Sequence, residues 1–252
     1  MLLMSASCGH PKQARVDVAS PPAAPEPSSP STPKPAPQSG SAVKDKHPAA
    51  AETSEADADL AEPTIAADAK PLSSETGRAS WYGPPYHNRR GSNGEVYNMH
   101  AMTAAHRTLA LGSIVRVTNL KTGSSALLRI TDRGPFIPGR ILDVSLAAAH
   151  KLDIYQPGVA EVKVELMQAP AAPAASGKWA VQIGGFSDEA AARQLSDHLK
   201  RRYRTAKVLC FKSPAGDWWV RVRVLDDDHE RAQKLLAETE TTEGAVFLVR
   251  LD

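Results

Sequence analysis

The first 80 residues contain no Phe, Trp or Tyr, whereas the rest of the 252-residue chain carries all 4 Trp, 5 Tyr and 4 Phe. Twelve of the 20 prolines lie between residues 11 and 71. The only branched aliphatic residues between positions 10 and 75 are Val16, Val18, Val43, Leu60, Ile65 and Leu72. They cannot bury enough apolar area to offset the conformational entropy of ordering so much chain. We therefore predict a disordered tether over residues 9–76, followed by two small domains or one medium one.

Charge is distributed unevenly along the chain. The net charge is −4 over residues 1–75, +5 over residues 76–168 and +1 over residues 169–252, which together give +2. No part has the run of Lys and Arg with which nucleic-acid binders contact many phosphates, so we expect no nucleic-acid partner. A basic middle segment instead suits an anionic or partly acidic polymer. The sequence also has no window of 18 apolar residues, so it predicts no membrane-spanning helix.

The extreme N-terminus is similar to the end of a bacterial lipoprotein signal peptide. Ser5-Ala-Ser-Cys8 places small residues before a cysteine, as at a site of cleavage and lipidation. The charged and long apolar regions of such a signal are missing, which a start codon placed too far downstream would explain. We predict a truncated signal remnant over residues 1–8 and lipidation of Cys8; the alternative is an ordinary N-terminus with a stray cysteine. The other cysteine, Cys210, lies in an apolar run and is expected to be buried.

Residues 77–168 show short apolar runs interrupted by Gly, Pro and Asn. Val115 and Val117 alternate with polar residues, as do Val162 and Val164, and this period of two is typical of half-buried strands. Residues 119–123 lie between two such runs and predict a hairpin turn. Only residues 146–152 have helical spacing. So many short strands in about 90 residues favour a mainly β fold, a small closed barrel.

A linker rich in Ala and Pro occupies residues 169–177, and a different pattern follows it. Apolar spacing predicts strands over residues 178–184, 206–212, 218–225 and 245–251, a helix capped by Ser187, and a second helix over residues 229–239. This βαββαβ order predicts a four-stranded antiparallel sheet backed by two helices, an α+β domain over residues 178–252.

Polar residues without an obvious packing role are concentrated in the middle segment. The sequence places a lone carboxylate after each of two apolar runs, at Asp132 and at Asp143. Further members of this cluster are Asn93, Glu95 and His106. Carboxylates at strand ends often only accept hydrogen bonds from turn amides. A functional interpretation therefore requires several of these side chains to converge on one groove.

Six short motifs follow one another in this middle segment: GRASWYG at 77–83, NGE at 93–95, MTAAHRTL at 102–109, VTN at 117–119, DRGPF at 132–136 and RILDVS at 140–145. Together they resemble the rare lipoprotein A family of septal lytic transglycosylases. The last segment resembles the SPOR domain through VQIGGF at 181–186 and WVRV at 219–222, although VLD at 224–226 stands where Gly-Pro-Phe is usual. The resemblance implies a six-stranded double-psi β-barrel over residues 77–168 and a SPOR peptidoglycan-binding domain over residues 178–252.

The resemblance further implies a carbon–oxygen lyase that cleaves the MurNAc-β-1,4-GlcNAc bonds of peptidoglycan strands lacking stem peptides. A lytic reaction uses the sugar's own C6 hydroxyl as nucleophile and leaves a 1,6-anhydro end. One carboxyl group can therefore protonate the leaving oxygen and then remove the hydroxyl proton, and the second carboxylate of a hydrolase is not strictly needed. We expect Asp132 to be this acid/base, because Arg133, Gly134 and Pro135 can fix its direction.

The family pattern also implies roles for other residues of the cluster. Glu95 is assigned to stabilising oxocarbenium-like charge or to the C6 hydroxyl, and His106 to orienting a carboxylate or the sugar. Asp143 matches the family but is expected to be structural, because Leu142 and Val144 flank it. Sugar contacts are expected from Tyr82, Asn93 and Arg133.

Alternation along the SPOR-like strands places apolar residues towards the helices and leaves four other residues on an open face: Gln182, Trp219, Arg221 and Arg223. Such a face is either simply solvated or a partner interface centred on an exposed Trp. With the resemblance added, it is a binding surface for denuded glycan.

Two other classes of function share these patterns. An expansin-like protein would bind and loosen the wall with the same barrel but form no covalent product. An RNA-binding module also uses a βαββαβ sheet with exposed aromatics, but paired aromatics are missing here and the N-terminus indicates export. His100 and His106 are six residues apart with no cysteine nearby, which is poor ligand spacing, so we expect no metal and no cofactor.

The lytic transglycosylase is the leading hypothesis, and it implies a setting for the protein. The expected location is the cell envelope, at the periplasmic face of the outer membrane and concentrated at the septum. The expected partners are peptidoglycan, the membrane that a lipid on Cys8 would enter, and divisome proteins.

Overall fold

The computed structural model describes residues 60–170, 177–213, 215–241 and 243–252, all of which belong to one compact unit. The predicted signal remnant with Cys8, most of the tether and most of the 169–177 linker lie outside the described residues. Within the described ranges, no helix has the length and apolar character needed to cross a membrane.

Six strands close into a barrel, in the order β1-β5-β2-β4-β3-β6. Their bounds are β1 Ser73–Trp81, β2 Thr103–His106, β3 Ile114–Asn119, β4 Ser125–Asp132, β5 Arg140–Val144 and β6 Val159–Gln168. Strand β1 pairs with β5 in parallel, as β2 does with β4, and the other pairs are antiparallel. A short helix, α1 (Leu146–Lys151), begins after Ser145, whose Oγ accepts a hydrogen bond from Ala148 N at 3.2 Å. The predicted closed barrel is confirmed.

The barrel interior is filled by the alternating apolar residues that the period of two indicated. The side chains of Val115, Val117, Val162 and Val164 are at most 1% exposed. Burying one such side chain contributes roughly 1.5–3 kcal/mol. Strand β1 nevertheless begins at Ser73, before the expected start at residue 77, because its first, exposed residues are held by backbone pairing with β6 and not by burial.

The second sheet has the order β10-β7-β9-β8 and is antiparallel throughout. Its elements are β7 Trp179–Phe186, α2 Glu189–Arg202, β8 Lys207–Lys212, β9 Trp218–Arg223, α3 His229–Glu238 and β10 Ala245–Arg250. This confirms the predicted βαββαβ order. The predicted cap is wrong, because Asp188 accepts the Ala191 amide while Ser187 hydrogen-bonds Glu243. Cys210 is only partly buried, because β8 is an edge strand.

The second sheet packs its helix-free face against the barrel. The ring of Phe136, in the loop after β4, lies 5.4 Å from the ring of Trp219 and 5.8 Å from that of Phe247. At the end of β10 the backbone continues the contact, since Arg250 N donates to Arg107 O at 2.9 Å. Trp219 is only 6% exposed, so the expectation of an open face with an exposed Trp is wrong. Alternation indicates which residues share a face, but it does not reveal what covers that face.

Candidate active site

A β-bulge aims Asp132 out of the barrel. Ala104 pairs with Ile130, but Ala105 pairs with Asp132, so Thr131 is the extra residue on β4. Ala104 and Ile130 are fully buried in the barrel core. Because bulges re-aim side chains, Asp132 takes the position beside Ala105 that Thr131 would hold in a regular ladder.

Asp143 occupies the matching position on the other side of the same strand. Ala105 pairs with Asp132 across one edge of β2 and with Asp143 across the other. Neighbouring strands lie about 4.8 Å apart, so the two Asp Cα atoms are separated by roughly 10 Å, with one small side chain between them. Both carboxylates line a cleft of about 600 Å³, together with Ala105, Tyr82 and Arg140.

The Asp132 carboxylate is fixed by three donors to one oxygen. Its Oδ1 accepts hydrogen bonds from Ser92 N at 2.9 Å, Ser92 Oγ at 2.5 Å and Arg133 N at 2.7 Å. Its Oδ2 accepts none from the residues that the structure describes. The Arg133 amide thus helps to set the direction of Asp132, as expected, whereas sequence reasoning missed Ser92, which lies 40 positions away.

Glu95 lies in a second cleft that adjoins the first at Asp132. This cleft, of about 520 Å³, is lined by Asp132, Asn93, Glu95 and Arg129 among others. Arg129 donates to Glu95 Oε2 at 2.7 Å and to Oε1 at 3.3 Å, and Asn93 Oδ1 accepts the Glu95 amide at 3.0 Å. The hydrogen bond from Arg129 holds the pKa of Glu95 below its usual range, so Glu95 is ionised at neutral pH.

His106 is not brought together with Asp132 and Glu95. It follows Ala105 on β2 and so points to the opposite face, and it lines neither cleft. Its Nδ1 accepts the Thr108 and Leu109 amides at 3.2 and 3.0 Å, which places the proton on Nε2 for donation to Glu75 Oε1 at 2.7 Å. The carboxylate that His106 orients is therefore that of Glu75, whose pKa this hydrogen bond lowers.

Arg133 is buried and bound to main-chain oxygens. Its Nη1 donates to His106 O at 3.1 Å and to Leu109 O at 2.8 Å, and its Nη2 donates to Asp252 O. Burial lowers the pKa of Arg133 to about 10, so it is still charged at neutral pH. Arg133 also lines the cleft around Asp132, so its expected sugar contact stays a prediction. Its hydrogen bonds tie the turn after Asp132 to the loop after β2 and to Asp252.

Asp143 has an environment unlike that of Asp132. Its Oδ2 accepts a hydrogen bond from Arg140 Nη2 at 3.0 Å, while Oδ1 is buried without a hydrogen-bond partner among the described residues. Burial raises the pKa of Asp143 to about 6. Sequence reasoning treated it as structural because Leu142 and Val144 flank it. The period of two indicates in addition that Asp143 points away from the core, because its neighbours Leu142 and Val144 point into it.

Aromatic side chains form one wall of the cleft around Asp132. The Tyr82 ring lies 4.4 Å from that of Tyr97 and is met edge-on by Tyr86 at 5.9 Å, while Trp81 packs 5.2 Å from Tyr155. Trp81, Tyr82, Tyr86 and Tyr97 all line the cleft. Flat apolar faces with polar edges suit sugar rings, and the sugar contact of Tyr82 stays a prediction.

The second sheet supplies the facing wall. Three of the four residues expected to bind glycan, Gln182, Trp219 and Arg221, line the same cleft as Asp132. Arg221 donates to Gln182 Oε1 from Nη2 at 2.7 Å and from Nε at 3.1 Å, which fixes both side chains. Arg223 is not part of this wall and instead forms an ion pair with Asp227, with Nη2 and Oδ2 2.6 Å apart. No group of three or more His, Cys, Asp or Glu side chains suited to a metal ion occurs in the part of the chain that the structure describes.

Sequence comparison identifies several relatives of this chain. The endolytic peptidoglycan transglycosylase RlpA of Vibrio cholerae is 52% identical over 93 residues, which are 37% of this chain and 35% of that protein. The Neisseria meningitidis protein of the same name is 52% identical over 105 residues, 41% of this chain and 44% of its own length. That of Helicobacter pylori is 36% identical over 160 residues, covering 52% and 51%. The chain thus spans about a third to a half of these relatives.

Similarity to solved structures is low. A Clavibacter michiganensis expansin is 15% identical to this chain. It covers 71% of this chain and 90% of its own chain with a TM-score of 0.32, which is too low to bear on function.

Two family models match this chain: residues 74–164 match the family described as lytic transglycolase, and residues 175–248 match the SPOR domain. The chain therefore joins a closed six-stranded barrel that matches the lytic transglycolase family to a segment that matches the SPOR domain.

Proposed function

We propose that this chain is an endolytic lytic transglycosylase that cleaves MurNAc-β-1,4-GlcNAc bonds in peptidoglycan strands lacking stem peptides. The observation that carries the proposal is the position of Asp132, which lines both clefts and is held by three donors in a segment of the lytic transglycolase family. A polymer lying through both clefts passes directly over this carboxylate.

The chemistry assigned to the barrel is internal attack on the sugar. As the bond between C1 and the leaving O4 breaks, the C6 hydroxyl oxygen bonds to C1 and gives a 1,6-anhydro ring, so no water is consumed. Asp132 is the carboxyl group that exchanges protons with substrate in this step. Glu95, ionised and held by Arg129, stabilises the positive charge that develops at C1. His106 acts as a positioning residue through the loop that it caps.

Binding of the strand is assigned to the two facing walls of the cleft. Gln182, Trp219 and Arg221 of the SPOR domain face the aromatic wall of the barrel, so one glycan strand can touch both. Arg223 can contact only glycan that extends beyond the cleft, because it lies outside this wall and is paired with Asp227. The net +5 charge of residues 76–168 suits a polymer that carries the lactyl carboxylates of MurNAc.

The test is mass spectrometry of purified glycan strands, with and without stem peptides, after incubation with the full chain. We expect fragments ending in 1,6-anhydroMurNAc from stripped strands, and none from the Asp132→Asn variant. Asp153→Asn is the matched control, since Asp153 lies in the barrel segment after α1 and lines neither cleft. Hydrolysed reducing ends, or strand binding without any product, would contradict the proposal, and the second outcome would favour the expansin-like alternative.

We also propose that the protein works in the cell envelope, at the periplasmic face of the outer membrane and at the septum, anchored by a lipid on Cys8. The SPOR match and the Ser5-Ala-Ser-Cys8 sequence support this setting. Labelling with a radioactive or alkyne fatty acid should mark the chain expressed with its upstream gene sequence and should be lost in Cys8→Ala. A mature form that keeps residues before Cys8 would exclude the anchor, and recruitment by divisome proteins would need a separate pull-down.

A further inference from the structure

A second carboxyl group lies in the cleft and has no part in the single-carboxyl reaction. Asp143 is 14% exposed in its side chain, lines the cleft, and has one oxygen without a hydrogen-bond partner among the described residues. Leaving a buried oxygen without a hydrogen-bond partner costs free energy, so its presence in the cleft calls for an explanation. The cleft that it borders is the one in which Asp132 meets the aromatic wall.

The register of the sheet sets Asp143 opposite Asp132. Both residues pair with Ala105, one on each side of β2, so their side chains leave the sheet on the same face with only a methyl group between them. A sugar residue placed over Ala105 therefore has one carboxyl group on each side. That is the arrangement in which two groups can serve two different oxygen atoms of one substrate.

The two carboxyl groups have contrasting partners. Asp132 Oδ1 accepts three hydrogen bonds, two from backbone amides, which are donors at any pH. Asp143 faces Arg140 from its own strand, Arg107 from the loop after β2, and the phenol rings of Tyr82 and Tyr86 from the segment after β1. Burial outweighs the two guanidinium groups and raises the pKa of Asp143 to about 6. The two carboxyl groups therefore differ in burial and in hydrogen-bond partners, which suits them to different roles.

We propose that Asp143 is the acid that protonates the leaving O4, while Asp132 is the base that accepts the proton of the C6 hydroxyl. This inference rests on the proposed function and divides its chemistry between two residues. The proton of Asp143 moves to O4 as the C1–O4 bond breaks, the C6 oxygen bonds to C1, and the C6 hydroxyl proton moves to Asp132. Exchange with solvent then returns the proton from Asp132 and reprotonates Asp143, so no co-reactant is needed.

The test compares two substrates whose leaving groups differ. On glycan strands the leaving alkoxide needs a proton, whereas a 4-methylumbelliferyl β-glycoside of MurNAc releases a stable phenolate. Asp143→Asn should lose about 10²–10⁴-fold in kcat/KM on strands, the usual contribution of a general acid, but only a few-fold on the aryl glycoside. Asp132→Asn should lose activity on both. Equal loss on both substrates by a folded Asp143→Asn, or wild-type activity on strands, would overturn the proposal.

The pH profile gives a second, independent readout. An acid must be protonated to act, so kcat/KM on strands should fall as pH rises through about 6, the pKa of Asp143 in the free enzyme. Arg140→Gln removes a positive charge that favours the ionised form, so it should move this alkaline limb to higher pH. A limb that stays in place in Arg140→Gln would contradict the assignment even if Asp143→Asn failed to fold. Failure of the wild-type chain to form anhydro ends would instead reject the proposed function itself.

Discussion

The indole ring of Trp219 lies 5.4 Å from the phenyl ring of Phe136, so a residue expected to hold glycan also joins the SPOR sheet to the loop that follows Asp132. Phe247 completes the cluster, 6.3 Å from Trp219. Trp219 therefore contributes to packing as well as to the cleft, whereas its neighbour Arg221 contributes a polar edge to the cleft. Substitutions at the two positions separate binding from stability.

Trp219→Ala should reduce both sedimentation with stripped sacculi and the stability of the chain. Removing a buried Trp side chain typically costs about 3–5 kcal/mol in unfolding free energy. Arg221→Ala should weaken sedimentation comparably at a smaller cost in stability, about 1–3 kcal/mol, because it leaves the buried Gln182 Oε1 without its donor. Leu209→Ala is the control for both assays, because Leu209 is 60% exposed on the edge strand. Loss of stability without loss of binding in Trp219→Ala would show that this Trp is structural only.

Ser92→Ala should lower turnover of glycan strands by about tenfold, because the hydroxyl is one of three donors that hold Asp132 Oδ1. The two remaining amide donors keep the carboxylate near its place, so the variant should stay folded and partly active. Ser124→Ala is a matched control, since its hydroxyl makes an equally short hydrogen bond to Asp153 on a different part of the barrel. Equal rates for Ser92→Ala and wild type would show that the amides alone fix Asp132.

Glu95→Gln should lower kcat/KM on strands by about tenfold or more while leaving the alkaline limb of the pH profile in place. The hydrogen bond from Arg129 keeps the pKa of Glu95 below its usual range, so this residue is ionised across the working pH and does not set that limb. Glu161→Gln, an exposed carboxylate on β6, should behave as wild type. A limb that shifted in Glu95→Gln would show that Glu95 takes part in proton transfer.

Glu75→Gln should lower the melting temperature by about 2–4 °C at pH 7. The hydrogen bond from His106 lowers the pKa of Glu75 in the folded chain below its ordinary value of 4.5, so the ionised form stabilises the fold above that pH. This stabilisation is lost as pH falls from 4.5 through the lowered folded pKa, so the wild type and the variant should converge at low pH. Thermal unfolding followed between pH 7 and pH 3 checks this, and a gap that widened on acidification would contradict it.

The sequence predicted the fold more fully than the site, and individual residues show why. The alternation of Val115 and Val117 with polar residues predicts a half-buried strand, because this prediction needs only side-chain type and spacing. No such pattern places Ser73 in a strand, because its position there depends on backbone pairing with Leu166, far along the chain. Local patterns therefore recover strands that bury a face and miss those that only pair.

The site depends on contacts between distant segments, and these left no local pattern. Asp132 was identified from its motif, but its partner Ser92 and its counterpart Asp143 become visible only when strand β2 is set between β4 and β5. His106 matched a functional motif equally well, yet alternation along β2 turns it away from the cleft. The burial of Trp219 likewise comes from the packing of the SPOR domain on the barrel, which no local pattern predicts.

The hydrogen bond from Arg133 to the main-chain oxygen of Asp252 links the turn after Asp132 to the SPOR domain. Arg133, next to the carboxylate proposed to be catalytic, is held in part by backbone from the SPOR domain, so lifting that domain away would loosen the turn that carries Asp132. Linkage is reciprocal, so whatever favours the docked arrangement favours a well-ordered catalytic turn, and the reverse. A glycan strand that binds across both walls of the cleft would favour the docked arrangement and so the ordered turn. Under the proposed function, activity would then be low wherever the cell wall offers only short or heavily substituted glycan.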